Sequence, residues 1–181
     1  MKKIVSLVFF CTIFGAVSAQ TVQLNRDSLG LALKEVSTVE GCRMHANTVK
    51  AAAAYCLYTP FSDDDVVRRG CEALVIQWTT NTDEIDLQIS SHMHNGLLDK
   101  KVKQGVLLVT YIAAADLYAI TTGLKETTAE AYFYAMEETL QFYSVNKKVI
   151  GKSKYMERLL KMSEAERTAE YQNLFDQDHL N

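Results

Sequence analysis

Proline is almost absent: Pro60 is the single one in 181 residues, and glycine occurs only eight times. No Pro-rich or Gly/Ser-rich linker therefore divides the chain, and one helical domain over residues 20–181 is expected. A basic tract is missing as well. Its absence removes the electrostatic footprint of a nucleic-acid binder and the polybasic cluster that holds a protein on anionic lipid. The formal charge is −3, all of the basic N-terminal contribution coming from Lys2 and Lys3. There is no Gly-rich phosphate loop, nucleophile elbow, zinc-protease helix or CxxC pair. These absences argue against catalysis, so no catalytic, cofactor-binding or metal residue is assigned and no cofactor is expected.

What is present begins at the N-terminus. Lys2 and Lys3 precede an apolar run over 4–17, interrupted only by Ser6, Thr12 and Gly15, and Val17-Ser18-Ala19 offers small side chains for cleavage. A positive end, an apolar middle and a small-residue exit read as a secretory signal over residues 1–19. The run falls short of the roughly 18 residues needed to span a bilayer, so no stable membrane span is expected once it is removed. Cys11 follows Phe9 and Phe10 rather than the small residues of a lipid-attachment site. The expected product starts at Gln20 and is periplasmic or extracellular.

Export usually goes with disulfides, but only Cys42, Cys56 and Cys71 lie beyond the signal, an odd number. Cys42 and Cys56 share an expected helix and stand roughly 21 Å apart along it, too far to bridge. A helix folding back near Pro60 leaves Cys56 and Cys71 roughly 9 Å out of register. Buried, unpaired thiols acting as small apolar side chains are expected.

The remaining pattern is helical. Ser37-x-x-Glu40, Thr127-x-x-Glu130 and Ser163-x-x-Glu166 fit the capping box, and Ser62 followed by Asp63, Asp64 and Asp65 marks a fourth start. Val67, Cys71, Leu74, Val75 and Trp78 form one stripe; Tyr132, Phe133, Met136, Leu140 and Tyr143 form another. Residues 106–120 are apolar almost all round, with Gly123 placed to end that helix. Shorter helices follow around 155–161 and 164–175. The expected fold is all-α: six or seven helices in a compact bundle or a short helical-repeat-like array. The repeat alternative comes from the likeness of 51–58 to 113–118 at an offset of 60 residues; two closely packed, alanine-rich helices explain it equally. One segment, 79–95, lacks a helical stripe. There Ile85, Leu87 and Ile89 alternate with Asp86, Gln88 and Ser90 as in an extended segment with one buried face.

Four constellations carry candidate chemistry. His92-x-His94 in an extended segment would point both imidazoles the same way, with Asp83, Glu84 and Asp86 near in sequence. Cys42 and His45 lie three apart on one helix face, a spacing that could seed a zinc site or pair a thiol nucleophile with its base. Asp116 is an acid inside an apolar helix, which must be paired, hydrogen-bonded or protonated. Tyr132, Phe133, Tyr134, Phe142 and Tyr143 could offer rings to a sugar or partner, Tyr134 being the ring expected to face outward. For each, ordinary packing or solvation is the competing explanation.

Tyr111-Ile-Ala-Ala-Ala-Asp-Leu-Tyr118, the Thr127–Tyr143 helix and Tyr155-Met-Glu-Arg-Leu-Leu160 together resemble small periplasmic immunity proteins. Those proteins neutralise cell-wall amidase toxins delivered by type VI secretion. The resemblance implies a small secreted helical binder; the family's cysteine beside the Tyr-Ile helix is missing, and no functional residue carries over. The expected function is a non-enzymatic protein-binding or inhibitor module whose partner is another protein or an envelope component. An envelope hydrolase or metal enzyme built around 79–95 and Asp116 is the alternative, and a structural part of a surface assembly a further one.

Overall fold

The computed structural model describes residues 23–87, 89, 96–103 and 105–179. The signal segment, His92 and His94 lie outside them. Among the described residues there are seven helices: α1 (Arg26–Glu35), α2 (Val39–Tyr58), α3 (Val66–Asn81), α4 (Val106–Thr122), α5 (Ala129–Ile150), α6 (Lys154–Leu159) and α7 (Glu164–His179). The fold is an all-α bundle.

Side-chain oxygens start most of the helices, though not always the ones the sequence pattern picks out. Ser163 and Glu166 form the expected reciprocal box on α7. In α2 and α5 the cap moves one residue on: Thr38 accepts from the Gly41 amide at 3.1 Å and Thr128 from Ala131 at 3.2 Å. The displaced hydroxyls are used elsewhere, Ser37 on the Lys34 carbonyl and Thr127 on the Asp86 carbonyl. Nor do three aspartates occupy the first turn of α3. Asp65 is the cap, taking the Arg68 amide at 2.9 Å, and Asp63 and Asp64 form the turn before it. A box that the pattern does not reveal, Asn25 with Ser28, opens α1.

α4 is central. Leu107, Tyr111, Ala114 and Ala115 join one core with α5, α6 and α7, while Ala113 joins a second core with α1, α2 and α3. A helix with apolar cores on opposite sides needs apolar residues all round, which is what its sequence supplies. Gly123 ends it in the left-handed conformation (φ 73°), its amide returning to the Ala119 carbonyl at 2.7 Å. The alanine-rich segments of α2 and α4 pack against each other through Ala52, Ala53 and Ala113. α4 also contacts α3 and α5, so the helices bundle around it rather than stacking in sequence order.

The break after α3 begins at Thr82 rather than Thr79, because α3 continues to Asn81. After a bend at Asp83 and Glu84, Asp86 pairs with Glu126 in an isolated bridge, its amide reaching the Lys125 carbonyl at 2.7 Å. Ile85, Leu87 and Ile89 pack against the core while Asp86 is exposed, as the sequence predicts for them; Gln88 and Ser90 lie outside the described residues. A second bridge joins Val102 to Gly151. Cys42, Cys56 and Cys71 are free and buried. No helix among the described residues is long and apolar enough to cross a membrane.

Candidate functional site

The thiol and imidazole of α2 do not come together. Cys42 is fully buried, with its Sγ 3.3 Å from the Val36 carbonyl and its own carbonyl taking the Trp78 indole N–H at 2.9 Å. His45 instead meets Glu35 at the end of α1, Nε2 to Oε2 2.5 Å. Asp83 and Glu84 are also committed: Arg43 reaches them at 2.6 and 3.5 Å, and Lys125 lies 3.9 Å from Glu84. Among the described residues no three His, Cys, Asp or Glu side chains are grouped to hold a metal.

Asp116 is completely buried in α4. Its partner is the Thr79 hydroxyl, 2.7 Å from Oδ2; Oδ1 has no hydrogen bond among the described residues. Burial pushes its carboxyl well above the usual carboxylate range, against the smaller opposing effect of Thr79. Enclosed in this way between α3 and α4, it makes no hydrogen bond to Asp83, Glu84 or Asp86 among the described residues.

The aromatic helix divides. Tyr132 and Phe133 pack on Tyr171 of α7, with centroids 6.2 and 5.9 Å away. The Tyr143 hydroxyl donates to Glu157 at 2.8 Å. Phe142 underlies the Arg68 guanidinium at 5.6 Å. Tyr134, expected to be the outward ring, is partly buried against the core, with two other tyrosines beside it. Tyr118 of α4 leans against it with centroids 5.3 Å apart and planes at 44°. The hydroxyl of Tyr58, at the end of α2, stands 3.5 Å from the Tyr134 hydroxyl. Tyr58 is the exposed ring, at 51%.

Two carboxylates complete this face. Glu138, one turn beyond Tyr134, engages Tyr58, and Glu130 engages Tyr118. Burial raises the Tyr58, Tyr118 and Tyr134 phenols above their ordinary range, and burial likewise raises Glu138 against the lowering effect of its bond to Tyr58. Beside Tyr118 a narrow apolar crevice runs between the 85–87 segment, Leu124 and Tyr132, with room for about one water molecule. Tyr58 is invisible to periodicity: it lies off the buried stripe of α2, and only the tertiary fold brings α5 to it. It is the last residue of α2, just before Thr59 and Pro60.

Compared with family models, curated proteins and solved structures, the chain matches none.

Proposed function

We propose that the chain is an exported, non-enzymatic binding module that uses the face formed by Tyr58, Tyr118, Tyr134, Glu138 and Glu130 to contact another protein or an envelope component. The observation that carries this reading is the half-exposed Tyr58 ring held against a second, covered tyrosine at the surface. A core has no use for a ring left half in water, whereas a contact surface gains a large amphipathic group whose position is already fixed. Export rests on the N-terminal signal pattern and on Val17-Ser18-Ala19 before Gln20.

The test has two parts. Expression in a bacterial host followed by fractionation and N-terminal sequencing should place the protein outside the cytoplasm with Gln20 first. Affinity capture from envelope extract, read by mass spectrometry, should then return a partner that Tyr58→Ala and Tyr134→Ala lose while both variants keep the parent's circular dichroism. Capture that survives both substitutions would sink the assignment of the face.

A further inference from the structure

The fold gathers lysines that the sequence keeps apart. Val102 meets Gly151 in an antiparallel bridge, and the Lys103 amide donates to the Ile150 carbonyl at 2.8 Å. That register sets Lys101 opposite Lys152. Asp99, the residue before Lys100, accepts the Lys101 and Lys154 amides at 3.0 Å each and so ties the two segments a second time. Two lysines of this end of the bundle are answered, Lys103 by Asp63 and Lys147 by Glu157. Lys100, Lys101, Lys148, Lys152 and Lys154 are exposed and form no ion pair among the described residues. Like charges facing each other across a bridge cost stability. The negative C-terminus of α5 explains Lys147 and Lys148, but not the lysines beyond it. A chain of formal charge −3 thus carries a strongly positive patch, assembled from two segments far apart in sequence.

Such a patch attracts anions, and the side chains among the lysines decide which kind. Val145 and Val149 flank Lys148 on one face of α5, 69% and 50% exposed. A nucleic-acid backbone or a run of carboxylates answers the lysines and leaves both aliphatic groups in water. A bilayer of anionic lipid answers both. Its phosphates meet the ammonium groups, and the valines enter between the headgroups toward the acyl boundary. The lysine stems lie along that boundary while their charged ends stay with the phosphates. We propose that the five unpaired lysines, with Val145 and Val149, seat the protein on the surface of an anionic phospholipid bilayer. The attachment is peripheral, shares no residue with the tyrosine face, and stands whether or not that face is a contact surface.

The experiment measures co-sedimentation with vesicles of phosphatidylcholine, alone or mixed with phosphatidylglycerol. Parent and variants are purified alike, so any contribution of the apolar run over 4–17 is common to all and is read on phosphatidylcholine alone. Affinity for the anionic vesicles should be about tenfold higher or more, and should fall to the phosphatidylcholine level near about 0.5 M salt. Lys152→Glu sets opposite charges across the bridge, so its melting temperature should not fall while its affinity for anionic vesicles drops about fivefold or more. Val145→Ser with Val149→Ser should keep the parent's circular dichroism and lose about threefold or more. Equal binding to both kinds of vesicle, or either variant binding the anionic vesicles as the parent does, overturns the proposal. Duplex DNA and polyglutamate are titrated in parallel. Tighter binding of either one than of the anionic vesicles assigns the patch to another polyanion and overturns it as well.

Discussion

Thr79 Oγ1 lies 2.7 Å from Asp116 Oδ2 and has a single proton to give. The same hydroxyl is 2.8 Å from the Val75 carbonyl one turn earlier, and a carbonyl can only accept. One proton cannot serve both acceptors. Full burial without a countercharge keeps Asp116 a neutral acid, and a neutral carboxyl can donate to Thr79 while Thr79 donates to Val75.

The consequence is a pH dependence of definite sign. Folding keeps Asp116 protonated above about pH 3.9, where the unfolded chain releases that proton. The native state then binds more protons than the unfolded one, so this contribution to stability is complete below about pH 4. It declines as pH rises toward the folded-state pKa, by at most about 1.4 kcal/mol per unit. Asp116→Asn keeps a donor for Thr79 and cannot ionise. Urea unfolding between about pH 4 and pH 8 should show the variant close to the parent at the acid end and more stable at the neutral end. Parallel curves would refute a neutral Asp116.

Arg68 is a second buried polar group, and it secures the end of α2. It donates to the Cys56 carbonyl at 3.0 Å and the Thr59 carbonyl at 2.5 Å, between the rings of Phe61 and Phe142 at 5.5 and 5.6 Å. Glu72 stands 3.7 Å away. Arg68→Met keeps the aliphatic stem but leaves both carbonyls without their donor. We expect a loss of about 2–4 kcal/mol in urea unfolding. A loss below about 1 kcal/mol would mean that water replaces the guanidinium at no cost.

The three cysteines should be silent in the native state. Burial is the first cause that raises each thiol, and it pushes Cys71 up to about 12. Thiolate is the reactive form, so iodoacetamide at about pH 8 should leave Cys42, Cys56 and Cys71 unmodified until denaturant is added. Peptide mapping by mass spectrometry reads the result. Rapid native labelling at any of the three would contradict the packing of α2 on α3.

Gly151 closes α5 with φ 101°, and a Cβ there would meet the Lys101 carbonyl oxygen at 2.1 Å. Backbone oxygen cannot swing aside as a side chain can, and the left-handed backbone adds its own penalty. Gly151→Ala should lower stability by about 2 kcal/mol or more, as measured by thermal unfolding, and the bridge to Val102 should loosen with it. A variant as stable as the parent would show that the 101–103 crossing yields readily.

Helices were legible in the sequence wherever one local cause decides them. The stripe through Cys71, Leu74, Val75 and Trp78 is fully buried, and Gly123 stops α4 where its lack of a side chain permits. Caps slipped by one residue because Ser37-Thr38 and Thr127-Thr128 each offer two hydroxyls: the nearby Lys34 carbonyl takes Ser37, and the Asp86 carbonyl, distant in sequence, takes Thr127. Thr79, Thr80 and Asn81 are poor helix formers, yet both threonines bond back to carbonyls four residues earlier at 2.8 Å and Asn81 reaches the Val36 carbonyl. No window of sequence contains that last contact. The tyrosine face was half legible: the aromatic richness of α5 is plain, but Tyr58 and Tyr134 meet across 76 residues, and only packing decides which ring is outermost.

The position of α4 between two apolar cores has a consequence for how the molecule comes apart. Melting either half exposes one flank of the same helix, so neither the α1–α3 side nor the α5–α7 side can open without unsettling the other. Unfolding should therefore be a single all-or-none transition. The amides of α4 should exchange with solvent only through it, as the slowest in the chain.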